Sequence, residues 1–280
     1  MRLIKMWGGL GNQMFIYAMY LNMRRRFPNT RLDISHVRFD KAHSGYEIPR
    51  LFHTPSLEFH TWGKLLKLIK CLFFKTIYED KLEKSLIPYL KRYRWPLIYF
   101  QGFYQSEKFF ADVAPLVRRI YRFDISMANQ KTIALLKRLE EDESSVAVHI
   151  RRGDYLEPGH YKTLGCVCTP SYYRRATTLM SSMVTHPHFY LFSDDPEWVK
   201  AHVDMPQATF VNWNLGKDSW QDMLLMQHCR HNIICNSSFS WWGAWLNSNK
   251  NKIVITPDHW FADYDYPDII PNGWIMVSTQ

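Results

Sequence analysis

The sequence has few cysteines and no long apolar run. Its five cysteines do not follow the spacing of a disulfide framework, which favours a reducing compartment. They form no cluster with histidines at zinc-ligand spacing, so we predict no structural zinc. No stretch of about 18 apolar residues could form a membrane-spanning helix. The apolar run at residues 1–6 is too short for a signal peptide, so we expect a cytoplasmic protein.

Two common phosphate-binding fingerprints are also missing. The glycines at residues 8–11 do not have the spacing of a dinucleotide-binding loop, and no Gly-Lys-Ser/Thr sequence indicates a P-loop. Hydrophobic residues, in contrast, make up 46% of the 280 residues and aromatic residues 16%. This composition argues against disorder and suffices for one large domain or two ordinary ones.

Positive charge is concentrated in one segment. The formal net charge is +9, and residues 63–95 hold seven lysines and two arginines against three acidic residues. No known nucleic-acid-binding motif accompanies this charge, so we expect no nucleic-acid partner. Residues 64–74 have the apolar periodicity of an amphipathic helix. It could pack on its own core with solvated lysines, or its basic face could contact anionic lipid at the inner face of a membrane, through Lys64, Lys67, Lys70 and Lys75.

Strands and helices alternate along the chain, which predicts an α/β fold. The first predicted strand, residues 3–7, leads through a glycine-rich turn into a helix at residues 15–21. The charged segment at residues 140–145 follows a predicted helix and is interpreted as the domain boundary. We therefore predict a first domain of residues 1–140, a second of residues 141–265, and a tail of residues 266–280 that returns to the first domain.

The central segment of the chain is a predicted buried strand at residues 146–150 that ends in two arginines. Arg151 and Arg152 follow the apolar run directly, and Asp154 is close in sequence. Ligands of open α/β sheets bind just outside the carboxyl ends of strands, so the arginines predict an anion site. In the alternative interpretation they only pair with acidic residues such as Asp154.

Two further strand ends carry polar side chains. Asp194 and Asp195 follow the predicted strand at residues 189–192; one could accept the paired N–H donors of a guanine while the other caps the next helix. A polar segment follows the strand at residues 232–235 and precedes an apolar helix; it consists of Asn236, Ser237 and Ser238. The start of this helix would favour a phosphate, or the polar residues would only cap it. Because parallel strands bring their carboxyl ends to one edge, the three features together predict a common site.

Four of these stretches resemble the α-1,2-fucosyltransferases, glycosyltransferase family eleven. They are Gly-Gly-Leu-Gly-Asn-Gln-Met-Phe from residue 8, His-Ile-Arg-Arg-Gly-Asp-Tyr from residue 149, Phe-Ser-Asp-Asp from residue 192, and Asn-Ser-Ser-Phe-Ser-Trp-Trp-Gly from residue 236. The second is also similar to a pattern of α-1,6- and protein O-fucosyltransferases. The resemblance implies a GT-B architecture with two Rossmann-like domains facing across a cleft, and inverting transfer of fucose from GDP-β-L-fucose to the 2-hydroxyl of a galactose-terminated glycan, without a metal or other cofactor.

The resemblance also assigns roles to residues. Arg151 would hold the β-phosphate as the catalytic group, Ser237 and Ser238 would help to hold the diphosphate, and His149 and Asp194 would lie on the guanine side, with Asp195 as a substitute. Arg152 and Asp154 complete the predicted donor site. The turn formed by the first domain, which would close the site, is predicted to comprise Gly8, Gly9, Gly11, Asn12 and Gln13.

The chemistry of the residues agrees with such a transfer. Cleavage of a sugar–phosphate bond leaves negative charge on the nucleotide, which arginines and a helix start can stabilise without a metal. No catalytic base stands out, since nothing separates Asp33, His36, Asp40 and Glu47. The alternatives are another GDP-fucose-dependent fucosyltransferase or a non-catalytic protein that binds sugar or nucleotide. A glycosidase is less suited, because Asp194 and Asp195 are adjacent and cannot flank a bond as two opposed carboxylates do.

Overall fold

The computed structural model describes residues 1–37, 44–54, 73–79, 96–203, 205 and 207–280. The chain divides into two compact units, Met1–Phe123 and Asp124–Gln280. Each unit contains a parallel β-sheet, as the alternation of strands and helices predicted. The boundary predicted at residue 140 is wrong by one helix, because the charged segment that suggested it is the end of a helix belonging to the second unit.

Within the described residues, the sheet of the first unit has four parallel strands in the order β2-β1-β4-β3. Strand β1 lies between β2 and β4, so the chain leaves it at the point where the strand order changes direction. Strand β3 was not predicted, because only Ile77 of its four residues is buried. The four strands are β1 (Arg2–Lys5), β2 (Thr30–Asp33), β3 (Lys75–Tyr78) and β4 (Ile98–Gln101).

Helix α1 (Leu10–Arg26) is the longest helix of the described part of the first unit and is buried over most of its length. It has no polar stripe until its last turn, where Arg24, Arg25 and Arg26 complement the helix dipole. Helix α2 (Ile48–Leu51) is a single turn. Helix α3 (Ala114–Ile120) has Pro115 in its first turn, where a proline is tolerated.

In the part of the second unit that the structure describes, the sheet has six parallel strands in the order β10-β9-β8-β5-β6-β7. Counted from β5, this is the 3-2-1-4-5-6 order of a dinucleotide-binding Rossmann sheet. β5 and β8 are therefore neighbours on either side of the switch point. The strands are β5 (Ser145–Ile150), β6 (His188–Ser193), β7 (Thr209–Val211), β8 (His231–Ile233), β9 (Val254–Pro257) and β10 (Ile275–Val277).

In the described part of the second unit, one α-helix precedes β5 and four more connect the strands from β5 to β9; the first helix explains the corrected boundary. Helix α4 (Gln130–Glu141) is capped by Asn129, whose side chain donates a 2.8 Å hydrogen bond to Asn214 of the second unit. The backbone N–H of Asn129 donates to Gln221 at 2.8 Å. The remaining helices are α5 (Pro170–Met183), α6 (Pro196–His202), α7 (Trp220–His228) and α8 (Ser238–Leu246).

The carboxyl-terminal tail belongs to the second unit. Strand β10 pairs in parallel with β9, with Ile275 opposite Ile255 and Val277 opposite Pro257. The prediction that residues 266–280 return to the first domain is therefore corrected. The apolar pattern of residues 275–277 does not reveal a strand, because Met276 is exposed and only Val277 of the three strand residues is buried.

The predicted basic helix falls mainly outside the described residues. Lys64, Lys67 and Lys70 lie outside them, while Lys75 is the first residue of β3 and not part of a helix. Within the described part of the chain, no helix combines the length and apolar character needed to cross a membrane. Contact with a membrane surface stays a prediction.

Candidate functional site

The candidate site lies at the carboxyl ends of β5 and β8, at the switch point of the second sheet. Two contacts join β5 and the turn after it to the segment that follows β8. The hydroxyl of Tyr155 donates to the carbonyl of Asn236 at 2.9 Å, and the Sγ atom of Cys235 lies 3.2 Å from Nδ1 of His149. The strand-end features predicted to converge thus come from adjacent strands of one sheet.

Arg151 is held between two carboxylates. Its Nε and Nη2 atoms donate to Oδ1 of Asp154 at 3.0 and 2.6 Å, and Nη1 lies 2.8 Å from Oδ2 of Asp194. Register explains the second contact, because Ile150 of β5 lies opposite Ser193 of β6. Burial acts against the charged guanidinium, but Asp194 and Asp154 outweigh it and raise the pKa of Arg151. The pairing expected in the alternative interpretation is therefore present.

Arg152 shares Asp194 with Arg151 through its backbone, but its side chain has different partners. Its backbone N–H donates to Oδ1 of Asp194 at 2.9 Å, and its Nε donates to Oδ2 of Asp195 at 3.0 Å. The guanidinium carbon lies 3.5 Å from the ring centroid of Trp198, a cation–π contact. Asp195 also caps α6 by accepting from the N–H of Trp198 at 3.2 Å. Of the two adjacent aspartates, Asp195 is therefore the helix cap.

Position 153 requires glycine because the arginine turn, residues 151–154, passes close to Asp194. A Cβ atom at this position would meet Oδ2 of Asp194 at 2.5 Å, well inside van der Waals contact. Any larger residue would displace the carboxylate that pairs with Arg151. The glycine thus permits the second ion pair of Arg151.

His149 lies beneath the arginines and is 6% exposed. Burial, with a smaller contribution from the nearby charge of Arg151, lowers its pKa to about 3, so the imidazole is neutral near pH 7. Its ring centroid is 5.6 Å from that of Phe239, and its backbone carbonyl accepts from the hydroxyl of Tyr173 at 3.3 Å. These contacts make His149 part of the packed floor of the site; its predicted place beside a guanine stays a prediction.

Helix α8 begins at the other side of the switch point. Ser237 is its N-cap and accepts from the N–H of Phe239 at 3.3 Å, while Ser238 is its first residue. Asn236 is buried, and its Nδ2 donates to the carbonyls of Leu164 and Trp260, both at 3.1 Å. The predicted capping role is confirmed for Ser237. The positive end of the helix dipole therefore lies on the segment that Tyr155 ties to the arginine turn.

The predicted turn of the first unit lies between β1 and α1 at that sheet's own switch point. Gly8 has φ +79°, a left-handed conformation that favours glycine, and Gly9 is the N-cap position. Gly11 lies in the first turn of α1. Trp7 stacks on Phe103 with ring centroids 4.1 Å apart, which joins the turn to the segment after β4.

Neutral amide groups determine the shape of this turn. Nε2 of the buried Gln13 donates to the carbonyls of Gly8 and Gly45, both at 2.8 Å, and its Oε1 accepts from the N–H of Glu47 at 2.9 Å. The side-chain oxygen of Asn12 accepts from Gln105 at 2.7 Å. Gln13 is thus a structural clamp, and the predicted closure of a donor site by this turn stays a prediction.

The candidate bases of the first unit serve local structure. Asp33 is 1% exposed and accepts from Ser35 and, at 3.1 Å, from the hydroxyl of Tyr99. Glu47 is 6% exposed and pairs with Arg50 at 2.7 Å. Asp40 lies outside the described residues, and His36 is exposed in the turn that follows β2. The catalytic base therefore stays unassigned.

Sequence reasoning overlooked several contacts. Trp198 contacts Arg152, and Cys235 contacts His149. The two members of each pair lie far apart in the sequence, so only the three-dimensional fold brings them together. Asp263 and Asp265 have the Asp-x-Asp spacing that occurs at metal–nucleotide sites. Asp263 accepts from Thr163 at 3.1 Å. Among the residues that the structure describes, no group of three or more acidic, histidine or cysteine side chains could hold a metal ion.

Comparison with known proteins assigns the family. The sequence profile described as glycosyl transferase family 11 matches residues 3–278, almost the whole chain. The protein belongs to glycosyl transferase family 11. The family 11 chain is 29% identical over 292 residues to an α-1,2-colitosyltransferase of Escherichia coli, covering 97% of each chain. It is 28% identical over 199 residues to galactoside α-(1,2)-fucosyltransferase 1 of Homo sapiens, covering 67% of this chain and 54% of that protein.

A solved structure confirms the fold. The crystal structure of NodZ α-1,6-fucosyltransferase soaked with GDP-fucose superposes with a TM-score of 0.51 and 15% identity, covering 92% of this chain and 94% of that one. The family 11 protein therefore has the predicted α/β fold of the GT-B type, with two Rossmann-like units.

Proposed function

We propose that this family 11 glycosyltransferase moves L-fucose from GDP-β-L-fucose to the 2-hydroxyl of a terminal galactoside, with inversion at the anomeric carbon. The observation that carries the proposal is the position of Arg151 at the switch point of a Rossmann sheet, beside the start of α8. The similarity to galactoside α-(1,2)-fucosyltransferase 1 supports the proposed linkage and acceptor class. The acceptor would be a galactose-terminated glycan.

The leaving diphosphate would replace carboxylates as the partner of Arg151. Two guanidinium groups now face three carboxylates, those of Asp154, Asp194 and Asp195, so the cluster has no excess positive charge. A guanidinium offers planar paired donors that fit phosphate oxygens as well as carboxylate oxygens. Exchange of Asp154 or Asp194 for the β-phosphate would put the Arg151 charge on the leaving group, where Ser237, Ser238 and the α8 dipole add to it.

Guanine recognition would then fall to the displaced or neighbouring carboxylate. Guanine presents two adjacent N–H donors, which a carboxylate can accept in a paired geometry. Asp194 is the stronger candidate, since Asp195 already caps α6. The neutral His149 would add a polar ring beneath the base.

Proton loss from the acceptor need not use a strong base in this proposal. A loose, oxocarbenium-like transition state develops charge on the sugar before the hydroxyl is fully deprotonated. The main demand on the protein is then stabilisation of the departing GDP, which Arg151 and the α8 dipole supply. Metal-independence follows as part of the same proposal.

A second donor sugar has a specific observation in its favour. The α-1,2-colitosyltransferase is similar over 97% of the chain, against 67% for the fucosyltransferase. Colitose is the 3-deoxy counterpart of L-fucose, so the two donors differ by one hydroxyl group. A site that hydrogen-bonds this hydroxyl would reject colitose strongly, whereas a site that only accommodates it would discriminate weakly.

The experiment is a transfer assay with GDP-fucose and GDP-colitose on a β-galactoside, with the product linkage and anomeric configuration read by NMR. We expect an α-1,2-fucosyl product, activity that survives EDTA, and a higher kcat/KM for GDP-fucose. A higher kcat/KM for GDP-colitose would reassign the donor, and manganese-restored activity after EDTA would refute the metal-free mechanism.

We keep peripheral membrane contact of a cytoplasmic enzyme as a separate part of the proposal. It is supported by the cluster of basic residues between residues 63 and 95. Sedimentation with anionic liposomes should fall when Lys64, Lys67, Lys70 and Lys75 are changed to Gln. Unchanged sedimentation would leave these lysines without a membrane role.

A further inference from the structure

The second unit contains a pocket outside the arginine site. It has a volume of about 440 Å³ and lies in the segment that follows β9. Its lining combines three aromatic side chains with polar ones: Trp260, Tyr266, Trp274, His259, Asp265 and Asn272. The volume falls within the usual range for small-ligand pockets.

The walls of this pocket are held by hydrogen bonds and ring packing. The indole N–H of Trp241 in α8 donates to the carbonyl of Ile269 at 2.6 Å, and the Trp241 ring centroid is 5.6 Å from that of Trp274. Asp258 accepts from the backbone N–H of Thr279 at 3.0 Å and from its hydroxyl at 2.9 Å. The pocket is therefore formed by packed elements of the second unit.

The pocket is connected to the donor side of the site. Because β9 is parallel to β8, its carboxyl end lies on the same edge of the sheet as that of β8. The carbonyl of Trp260 accepts from Nδ2 of Asn236, and the Asn236 carbonyl accepts from Tyr155, the residue that follows the arginine turn. Two hydrogen bonds thus connect the pocket wall to the segment that carries the residues proposed to hold the leaving group.

The chemistry of the lining suits a neutral sugar. A pyranose presents an apolar C–H face that packs on aromatic rings and a rim of hydroxyl groups that hydrogen-bond to carboxylates and amides. Asp258 and Asp265 line the pocket. Among the described lining residues, only His259 can carry a positive charge, and its Nδ1 already lies 3.0 Å from Oδ1 of Asp258. The negative charge of the two aspartates disfavours the binding of a second diphosphate, in contrast to the site around Arg151.

We propose that this pocket is a saccharide subsite that binds a neutral sugar unit of the acceptor glycan away from the reacting hydroxyl. Its role toward an acceptor rests on the proposed function, whereas sugar binding itself does not. Binding energy from a remote sugar would position the acceptor and lower its KM. Asp265, Asn272 and Trp274 are the residues through which the subsite would select its sugar.

The test measures binding of lactose by saturation-transfer NMR titration in the absence of nucleotide. Trp274→Ala removes an aromatic wall, and Asn272→Trp fills the pocket from an exposed position without removing the Trp241 contact. Tyr161→Ala, at an exposed aromatic outside the lining, is the control. Melting temperatures and GDP affinities are measured for every variant.

We expect lactose affinity to fall about tenfold or more in both pocket variants, the loss of about 1.4 kcal/mol of binding free energy. Tyr161→Ala should bind as the wild type does, and GDP affinity should stay within about twofold throughout. In transfer assays the pocket variants should raise the acceptor KM with little change in kcat.

Equal lactose affinity in the wild type and Asn272→Trp would overturn the subsite, as would no binding by the wild type. Lactose binding that requires added Mn²⁺ would assign the carboxylates to a cation instead and would also overturn it. If GDP-fucose is not a donor but the pocket variants lose lactose, the proposed function fails and the saccharide subsite stands.

Discussion

Two turns occupy equivalent positions in the two units and differ in chemistry. The amide turn, residues 8–13, follows β1 at the switch point of the first sheet, and the arginine turn, residues 151–154, follows β5 at the switch point of the second. Gln13 holds the first through three neutral hydrogen bonds to backbone groups. Ion pairs of Arg151 and Arg152 with three aspartates hold the second.

The difference shows that topology places a turn but does not decide what it can bind. A neutral clamp whose donors and acceptors are all used by backbone groups fixes a shape. An arginine paired with carboxylates at the protein surface can exchange those partners for a phosphate. The two turns therefore predict opposite responses to substitution: loss of activity at one and loss of stability at the other.

The largest effect is expected for Arg151→Lys. Lysine keeps the charge but loses the planar fork, so it cannot bridge two phosphate oxygens as the leaving group develops charge. We expect turnover in fucose transfer to fall by about 10²-fold or more, comparable to removal of one preorganised donor. The melting temperature, measured in parallel, should show that the fold survives. Near-normal turnover in a folded variant would remove Arg151 from the mechanism.

Gln13→Leu tests the other turn. Leucine would leave the Glu47 N–H and the carbonyls of Gly8 and Gly45 without the partners that Gln13 provides. We expect the free energy of unfolding of the first unit to fall by about 2–4 kcal/mol, from buried groups that cost about 1–3 kcal/mol each when unsatisfied. Gln105→Leu, which removes one hydrogen bond to Asn12, is the matched control and should cost less. Equal costs in urea unfolding would argue against a clamp.

The carboxyl of Asp222 should make the free energy of unfolding of the second unit depend on pH. Burial raises the pKa of Asp222 to about 7, although the 2.8 Å hydrogen bond from Asn214 partly opposes this. The unfolded carboxyl ionises near pH 4, so between about pH 4 and 7 the folded state holds the extra proton and stability falls as pH rises.

The contribution of Asp222 to the free energy of unfolding should decrease by on the order of 1 kcal/mol per pH unit in this window and level off above it. Asp222→Asn should flatten the slope and stabilise the protein at pH 8. Urea unfolding monitored by hydrogen exchange in α7 is the measurement. An unchanged slope in the variant would show that another group dominates.

The smallest effect is expected for Arg152→Lys. The side-chain contacts of Arg152 are with Asp195 and the ring of Trp198, so it supports the turn and α6. We expect a loss of turnover below about tenfold and a stability cost of about 1 kcal/mol from the weaker cation–π contact. Should Arg152→Lys cost as much turnover as Arg151→Lys, the two arginines would share the leaving group.

The sequence predicted those parts of the site that depend on local pattern. The apolar run before Arg151 predicted β5, and Ser237 before an apolar run predicted the start of α8. The partners of Arg151 were only partly predictable. Asp154 is three residues away, but Asp194 meets Arg151 through the register of β5 and β6, which no local pattern reveals.

The same limit explains the errors in the fold. Strand β10 has one buried residue and is defined by its partner β9, so its pairing depends on residues about twenty positions away. The charged end of α4 has the composition of a linker, so the local pattern predicts a boundary after this helix. The contacts that assign α4 to the second unit, from Asn129 to Asn214 and Gln221, are partly buried hydrogen bonds across long sequence separations.

The most direct test of the central claim is calorimetric titration of GDP and UDP into the wild type, Arg151→Gln and Gln13→Leu. We predict that GDP binds the wild type, that its affinity falls at least about tenfold in Arg151→Gln, and that UDP binds far more weakly than GDP. Gln13→Leu, titrated at a temperature where it is folded, should lose less affinity for GDP than Arg151→Gln. Equal GDP affinity in the wild type and Arg151→Gln, or equal affinity for GDP and UDP, would contradict a guanine diphosphate site at the arginine turn.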